Sequence, residues 1–290
     1  MSVEKFIIYI YIFIDDFLKN NNLSKIRNGG PAPKLSDAEV ITVEIAGEFL
    51  GYGSDKTIYD YFKLHWNELF PQLECRTTFG RQAANLCYLK KLIYSNIVQQ
   101  IQLSNNDVFI CDGLPIPTCN PKRVSRKNPF WIDGKFSYCA AKDKKYFGFK
   151  SHLVATREGL IIDFAIAAAN IDERDILPEI TEKLSGILIA DKGLIRPSLK
   201  EELMKHNLDL QTPLRSNMKD PRPKKLVAEM MNIRRNIETV NAQLVERFHI
   251  QAIRAKDLWH LASKILRKIL AHSFAFMLAG SLEFDGILSR

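Results

Sequence analysis

This 290-residue chain predicts an α/β fold: a mixed sheet with flanking helices, preceded by a small all-helical N-terminal domain. Three observations carry the prediction. The first hundred or so residues show helical periodicity broken by Gly/Pro turns. After Asn105-Asn106 the pattern changes to short runs rich in β-branched and aromatic residues. From there the elements follow as strand, hairpin, helix, strand, helix, strand and long helix, the order of a sheet with helices packed on it. The division falls at 1–105 for the helical domain and 106–290 for the sheet domain with its C-terminal helices.

In the helical part, residues 3–19 form a first helix that stops at Asn20-Asn21-Asn22, and Asn28-Gly29-Gly30-Pro31-Ala32-Pro33 is a connector. Ser36-Asp37-Ala38-Glu39 has capping-box spacing and opens a second helix carrying Val40, Ile41, Val43, Ile45 and Phe49. Gly51-Tyr52-Gly53 ends it, Ser54-Asp55 cap a third to about residue 69, and Pro71 breaks the chain before a longer helix over 77–102. Short helices in succession suit a helix-turn-helix DNA-binding unit, and suit other small helical domains as well. Arg76, Arg81, Lys90 and Lys91 on the last helix or its approach favour DNA.

In the sheet part, Asp107-Val108-Phe109-Ile110-Cys111 is a buried strand ending at Asp112-Gly113, followed by the loop Leu114-Pro115-Ile116-Pro117-Thr118. That loop leads into a basic cluster, Lys122, Arg123, Arg126 and Lys127, suited to phosphates. Residues 146–156 and 160–169 form a hairpin about Glu158-Gly159. A helix over 172–184 leads to the run Gly186-Ile187-Leu188-Ile189-Ala190, ending at Asp191-Lys192-Gly193. A helix over 196–206, a short strand at 210–214 and a long helix over 225–248 follow.

Two aspartates thus arrive alike, each at the end of a strand with a glycine close behind, at the sheet rim where loops carry function. A single Asp-Gly is commonly a turn former. Two on one rim in a basic chain suit a divalent cation, which takes oxygen ligands. A third acid is sought on the long helix, whose stripe Leu226, Met230, Ile233, Ile237, Val240, Leu244 and Phe248 faces the core. Glu238 lies ~100° from the stripe centre, at the core boundary, with Arg234 and Asn241 on its own face. Glu246 lies ~180° from the stripe and faces solvent. The alternative for Glu238 is a surface pair with Arg234 worth ~0.3–0.5 kcal/mol.

Composition agrees. The chain is 46% hydrophobic, and 41 Lys+Arg against 33 Asp+Glu leave a net charge of +8, which favours nucleic acid over membrane. The apolar run 6–14 is followed at once by Asp15-Asp16 and falls far short of the ~20 residues that span a bilayer. The apolar stretch 265–278 is interrupted by Arg267, Lys268 and His272 and predicts a packed C-terminal helix. Five scattered cysteines give neither a disulfide framework nor a zinc site, and are expected as core residues in a reducing cytoplasm.

Asp112-Gly113, Asp191-Lys192-Gly193 and Ile237-Glu238-Thr239-Val240 behind Arg234-Arg235 form a set that resembles the DDE transposases of bacterial insertion sequences, most closely the insertion-sequence 982 family. Leu35-Ser36-Asp37-Ala38-Glu39-Val40, Tyr146-Phe147-Gly148-Phe149-Lys150-Ser151-His152 and Thr212-Pro213-Leu214-Arg215 add to the resemblance, which covers nearly the whole chain. It implies a ribonuclease-H-like catalytic domain, two Mg²⁺ or Mn²⁺ ions, and cleavage and joining of double-stranded DNA at terminal inverted repeats and target sites. Residue by residue, Asp112, Asp191 and Glu238 fall on the catalytic acids and metal ligands. A related Tyr-Arg-Glu-Lys signature keeps its Arg234-to-Glu238 spacing, but Met231 stands for the tyrosine and Val245 for the lysine, which keeps Glu246 as a minor candidate.

Two ions ~3.5–4 Å apart serve an in-line displacement. Asp112 is the candidate to bridge both, and Asp191 and Glu238 to hold one each. Lys150, Lys192, Arg215 and Arg234 are expected at DNA phosphates beside the Lys122–Lys127 cluster, with His152 as a lesser candidate. A homodimer in a synaptic complex, acting in the nucleoid-associated cytoplasm, is expected from the family. The rivals are a nuclease on the same fold, which would carry the same acids, and a catalytically inactive DNA-binding regulator.

Overall fold

The computed structural model describes residues 2–23, 32–73, 75–102 and 107–279; most of the connector expected at 28–33 and the 105/106 boundary lie outside them. Helices α1 (Val3–Asn20), α2 (Asp37–Phe49), α3 (Asp55–His65), α4 (Arg76–Asn85) and α5 (Cys87–Gln102) come first. Strands β1 (Val108–Cys119), β2 (Lys135–Cys139), β3 (Lys144–Thr156) and β4 (Ile161–Ala168) follow, then α6 (Glu173–Thr181), β5 (Gly186–Ile189), α7 (Pro197–Met204) and β6 (Leu208–Gln211). Helices α8 (Lys224–Ala242) and α9 (Leu258–Ala279) close the described chain. Two compact units result: Met1–Ile101 with Glu246–Arg290, and Gln102–Val245. The C-terminal helix therefore packs with the N-terminal helices rather than with the sheet, unlike the 106–290 division drawn from the sequence.

In the helical unit, α2 is the central element. Ser36 Oγ accepts the Glu39 amide at 3.1 Å and Glu39 Oε2 accepts the Ser36 amide at 2.6 Å, closing the expected capping box. Every residue from Val40 to Phe49 is buried, because α1, α3, α4 and α9 all pack on this helix. A helix enclosed all round must bury its polar positions too, and Glu44 and Glu48 go inside with it. Cations answer them: Lys90 Nζ lies 2.9 Å from Glu44, Arg267 Nη2 2.6 Å from Glu48 and Lys268 Nζ 2.8 Å from Glu48. Arg267 Nη1 also reaches Asp55 at 2.7 Å. The charges that interrupt α9 in sequence are thus its anchor. Lys90 is fully buried, so it is unavailable to DNA, whereas Arg76, Arg81 and Lys91 are exposed. The helix expected over 77–102 breaks at Leu86, where the Lys90 ammonium turns back to cap the Ala83 carbonyl of α4 at 3.0 Å.

In the sheet unit, β1 pairs antiparallel with β3, β3 antiparallel with β4, β1 parallel with β5, and β5 parallel with β6. The order β4-β3-β1-β5-β6, a meander followed by helix-linked parallel strands, is the ribonuclease-H-like arrangement. The register sets Asp112 against Leu153 and Gly113 against His152.

Three elements depart from the sequence reading. First, β1 does not end at Asp112 but runs on through Pro115 and Pro117. Beyond Ile110 its pairing with β5 stops, and the two prolines, two apart, both turn their missing donors to the edge away from β3. Second, β2 is an edge strand on Lys144–Gly148 of β3, formed where the sequence showed only a basic loop. Third, α8 stops at Ala242, gives way to a wider turn over Gln243–Arg247, and cannot resume at His249, whose φ is +51°. Of the five cysteines, all unbonded, only Cys111 is buried. No helix among the described residues is long and apolar enough to cross a membrane.

Candidate active site at the sheet rim

Asp112 stands within β1, half-buried. Its Oδ1 accepts the Gly113 amide at 2.8 Å and its Oδ2 accepts Asn241 Nδ2 of α8 at 2.8 Å. Burial pushes the Asp112 carboxyl up to about 6, the Gly113 amide works against that, and the negative charge of Glu173 adds to it. Asp191 follows β5 by two residues and starts a 3₁₀ turn, yet its side chain makes no capping hydrogen bond and stays 45% exposed. Glu238 projects from α8 with its side chain 60% exposed.

Helix α8 ties the three together. Ile237 and Val240 are buried, so Arg234, Glu238 and Asn241, on the neighbouring face, reach the rim. Arg234, its side chain only 15% exposed, lies 3.2 Å from Glu238 Oε1 and 3.5 Å from Asp191 Oδ1. Asp191 and Glu238 are thus within one guanidinium of each other, and Asp112 is fastened one turn further along the same helix. Among the described residues, no three His, Cys, Asp or Glu side chains lie close enough together to hold a metal; a cation of the chain's own bridges two of the acids instead. The donor set nevertheless suits a hard cation: carboxylate oxygens, plus Asn241 Oδ1, which is buried without a hydrogen-bond partner.

The other expected residues fall at several distances from this centre. Lys150 is half-buried on β3, with Nζ 3.1 Å from Glu173 Oε1. Lys192 is exposed in the turn after Asp191, and Arg215 is exposed in the loop after β6. Lys122, Arg123, Arg126 and Lys127 are all exposed between β1 and β2. His152 is buried, and burial pulls its imidazole down to about 4, so it is a neutral interior group rather than a surface contact. Glu246 is exposed and makes none of the contacts that link the rim acids. Sequence reasoning missed Glu173, at the first turn of α6. An acidic pair, Asp172-Glu173, opening the helix that leaves the hairpin was the signal.

A mixed sheet of this order with flanking helices is a ribonuclease-H-like fold, and at its rim Asp191 and Glu238 share one guanidinium. Residues 102–258, more than half of the chain, match the family described as the transposase DDE domain, and the chain belongs to that family. It is a transposase.

No curated protein matches the chain in sequence. Among solved structures it is similar to a piggyBac transposase synaptic complex with hairpin DNA, at 10% identity and a TM-score of 0.39, covering 96% of this chain and 80% of that one. It is also similar to a Mos1 mariner paired-end complex with Mn, at 12% identity and a TM-score of 0.24, covering 83% and 85%. These likenesses are distant, and the family rests on the sequence match.

Proposed function

We propose that this transposase cleaves DNA at the terminal inverted repeats of an insertion sequence and joins the freed ends to target DNA, and that it stands closest to the insertion-sequence 982 family. The observation that carries the reading is the convergence of Asp112, Asp191 and Glu238 on Arg234 and Asn241 of a single helix. Asp112, Asp191 and Glu238 are the residues that would hold two divalent cations, magnesium or manganese. When bound, such ions supply positive charge at the reacting phosphate and acidify the attacking hydroxyl.

The chain's own part is positional. Asn241 fixes one oxygen of Asp112, and Arg234 keeps Asp191 and Glu238 from repelling one another until DNA arrives. Lys192, Arg215 and Arg234 hold the phosphates that flank the scissile bond, and Lys150, on the other face of the sheet, holds a phosphate further along the DNA. The exposed Lys122, Arg123, Arg126 and Lys127 grip the backbone further out, beside the exposed Trp131, Phe136 and Tyr138, which offer flat faces to bases. The helical domain adds Arg76, Arg81 and Lys91. Water attacks the phosphorus at the element's end, the bond to the 3′-oxygen breaks, and a 3′-hydroxyl is released. That hydroxyl then attacks a target phosphodiester and displaces its 3′-oxygen. Two ends must be held together, so the working form is a homodimer, in the cytoplasm on nucleoid DNA.

The test is incubation of the purified chain with its end repeats, a target plasmid and Mg²⁺. Strand-transfer products are expected, and Asp191→Asn should lower cleavage by at least ~10³-fold while DNA binding persists. Nicking without joining would instead make the protein a nuclease. Binding with no cutting at all would make it an inactive DNA-binding regulator.

A further inference from the structure

Glu173 belongs to none of the elements that carry the three rim acids, yet its carboxylate lies against the backbone of β1 beside Asp112. We infer that Glu173 is a positioning residue: it fixes the Lys150 ammonium over Gly113 so that the lysine meets the incoming DNA phosphate. The inference rests on the proposed cleavage reading, in which Lys150 is a phosphate contact.

Three observations support it. The first is the contact: Lys150 Nζ lies 3.1 Å from Glu173 Oε1, with side chains 20% and 31% exposed, so the pair is shielded enough to hold one geometry. The second is Gly113. A side chain there would put its Cβ 2.3 Å from Glu173 Oε1 and 3.0 Å from Lys150 Cδ. The pair therefore occupies the space that the missing side chain leaves. Neighbouring strand residues face opposite sides, so Asp112 shows its carboxylate on one face of β1 while Glu173 and Lys150 meet on the other, one backbone away.

The third is the partition of acids on α6. Asp172 is taken by Arg174 and Arg196, and Asp175 by Arg196, while Glu173 turns to the lysine. Its place in the first turn also suits a carboxylate, since the helix N-terminus carries partial positive charge. An ammonium has three donors, and Glu173 Oε1 takes one, so donors remain for a phosphate oxygen. A lysine is a long, mobile side chain. Holding it in place before DNA arrives removes part of the ordering that binding would otherwise require.

The sign of one substitution separates this role from plain electrostatics. Glu173→Gln removes a negative charge from a DNA-facing rim, which by charge alone should tighten DNA binding. Positioning predicts the opposite: with the full chain, an end-repeat duplex and Mg²⁺, KM for DNA should rise ~10-fold with kcat within ~2-fold of wild type. Gly113→Ala keeps every charge but displaces the carboxylate, and should raise KM similarly. Lys150→Gln should do the same, and the double change Glu173→Gln/Lys150→Gln should be no worse than Lys150→Gln alone. An unchanged or lowered KM in Glu173→Gln, or additive losses in the double variant, overturns the inference. If Glu173→Gln does not fold, Gly113→Ala decides: a wild-type KM there overturns it. Should wild type fail to cut, or Asp191→Asn cut at the wild-type rate, the cleavage reading falls and this inference with it. Wild-type cutting that Asp191→Asn abolishes, with KM unmoved in Glu173→Gln, overturns this inference alone.

Discussion

Two ionic assemblies in this protein use the same residue types for opposite ends. Inside the helical unit, Glu44 and Glu48 face Lys90, Arg267 and Lys268 with every side chain at most 3% exposed, and each carboxylate is met by two cations. At the sheet rim, Asp191 and Glu238, 45% and 60% exposed, share the one guanidinium of Arg234, and Asp112 is held by a neutral amide. The interior cluster is paired carboxylate against cation and closed to solvent. The rim is over-supplied with negative charge and open on one side, which is the condition for taking up cations and a polyanion. Pairing and access, not the presence of charge, separate scaffold from chemistry.

The largest effect that would break this contrast comes from the interior. Glu48→Ala should leave the buried Arg267 and Lys268 without their main counter-charge, and burial already pulls the Lys268 ammonium down to about 8 despite Glu48. Breaking a buried pair from one side costs about 3–5 kcal/mol. Urea unfolding followed by circular dichroism measures it. A loss under ~1 kcal/mol would mean that the cluster is solvated and the contrast false.

The next effect is a pH dependence. His272 on α9 is fully buried, and burial, with the Arg247 charge acting in the same direction, lowers its imidazole to about 4 from an ordinary 6.5. In the unfolded chain that imidazole takes a proton below ~6.5, whereas in the folded chain it stays neutral down to about 4. Its contribution is therefore complete above pH ~6.5 and is lost as pH falls toward 4, amounting to about 3 kcal/mol at most. Asp55 acts lower still: burial works to raise its carboxyl, but Arg267 and Lys264 outweigh burial and hold it well below the usual range. His272→Gln should flatten the limb between pH 6.5 and 4 in urea midpoints. His152, lowered to about 4 in the sheet unit, contributes a limb of its own and should persist in that variant. An acid limb identical to wild type would show that His272 is not the buried base inferred here.

The succession of strands and helices along the chain was legible, β2 apart, because β-branched runs and Gly/Pro turns report locally on backbone preference. Apolar runs and helical phase, also local, singled out Asp112, Asp191 and Glu238 as candidates, although β1 runs on past Asp112. Position in space was not legible. Arg267 and Lys268 looked like interruptions of an apolar helix because nothing near them in sequence reveals Glu48, more than two hundred residues away. The continuation of β1 through two prolines was hidden for the same reason: proline is excluded from a paired edge, and which edge is paired depends on where β5 stops. Glu173 escaped because its partner, the vacant side-chain position of Gly113, lies across the sheet.

The smallest effect on stability should come from the rim. Glu238→Gln removes one end of an exposed pair with Arg234, the kind of contact worth ~0–1 kcal/mol, and Arg234 keeps Asp191 as a partner. Unfolding free energy should therefore move by no more than ~0.5 kcal/mol. The same change should reduce DNA cleavage by ~10²-fold or more, because the neutral amide replaces a charged oxygen ligand while keeping its shape. Glu48→Ala should do the reverse, weakening the fold without touching the rim. If Glu238→Gln instead destabilises the chain by several kcal/mol and leaves cleavage intact, then Glu238 is a structural anchor and the third acid must be sought elsewhere, with the exposed Glu246 the first to be replaced.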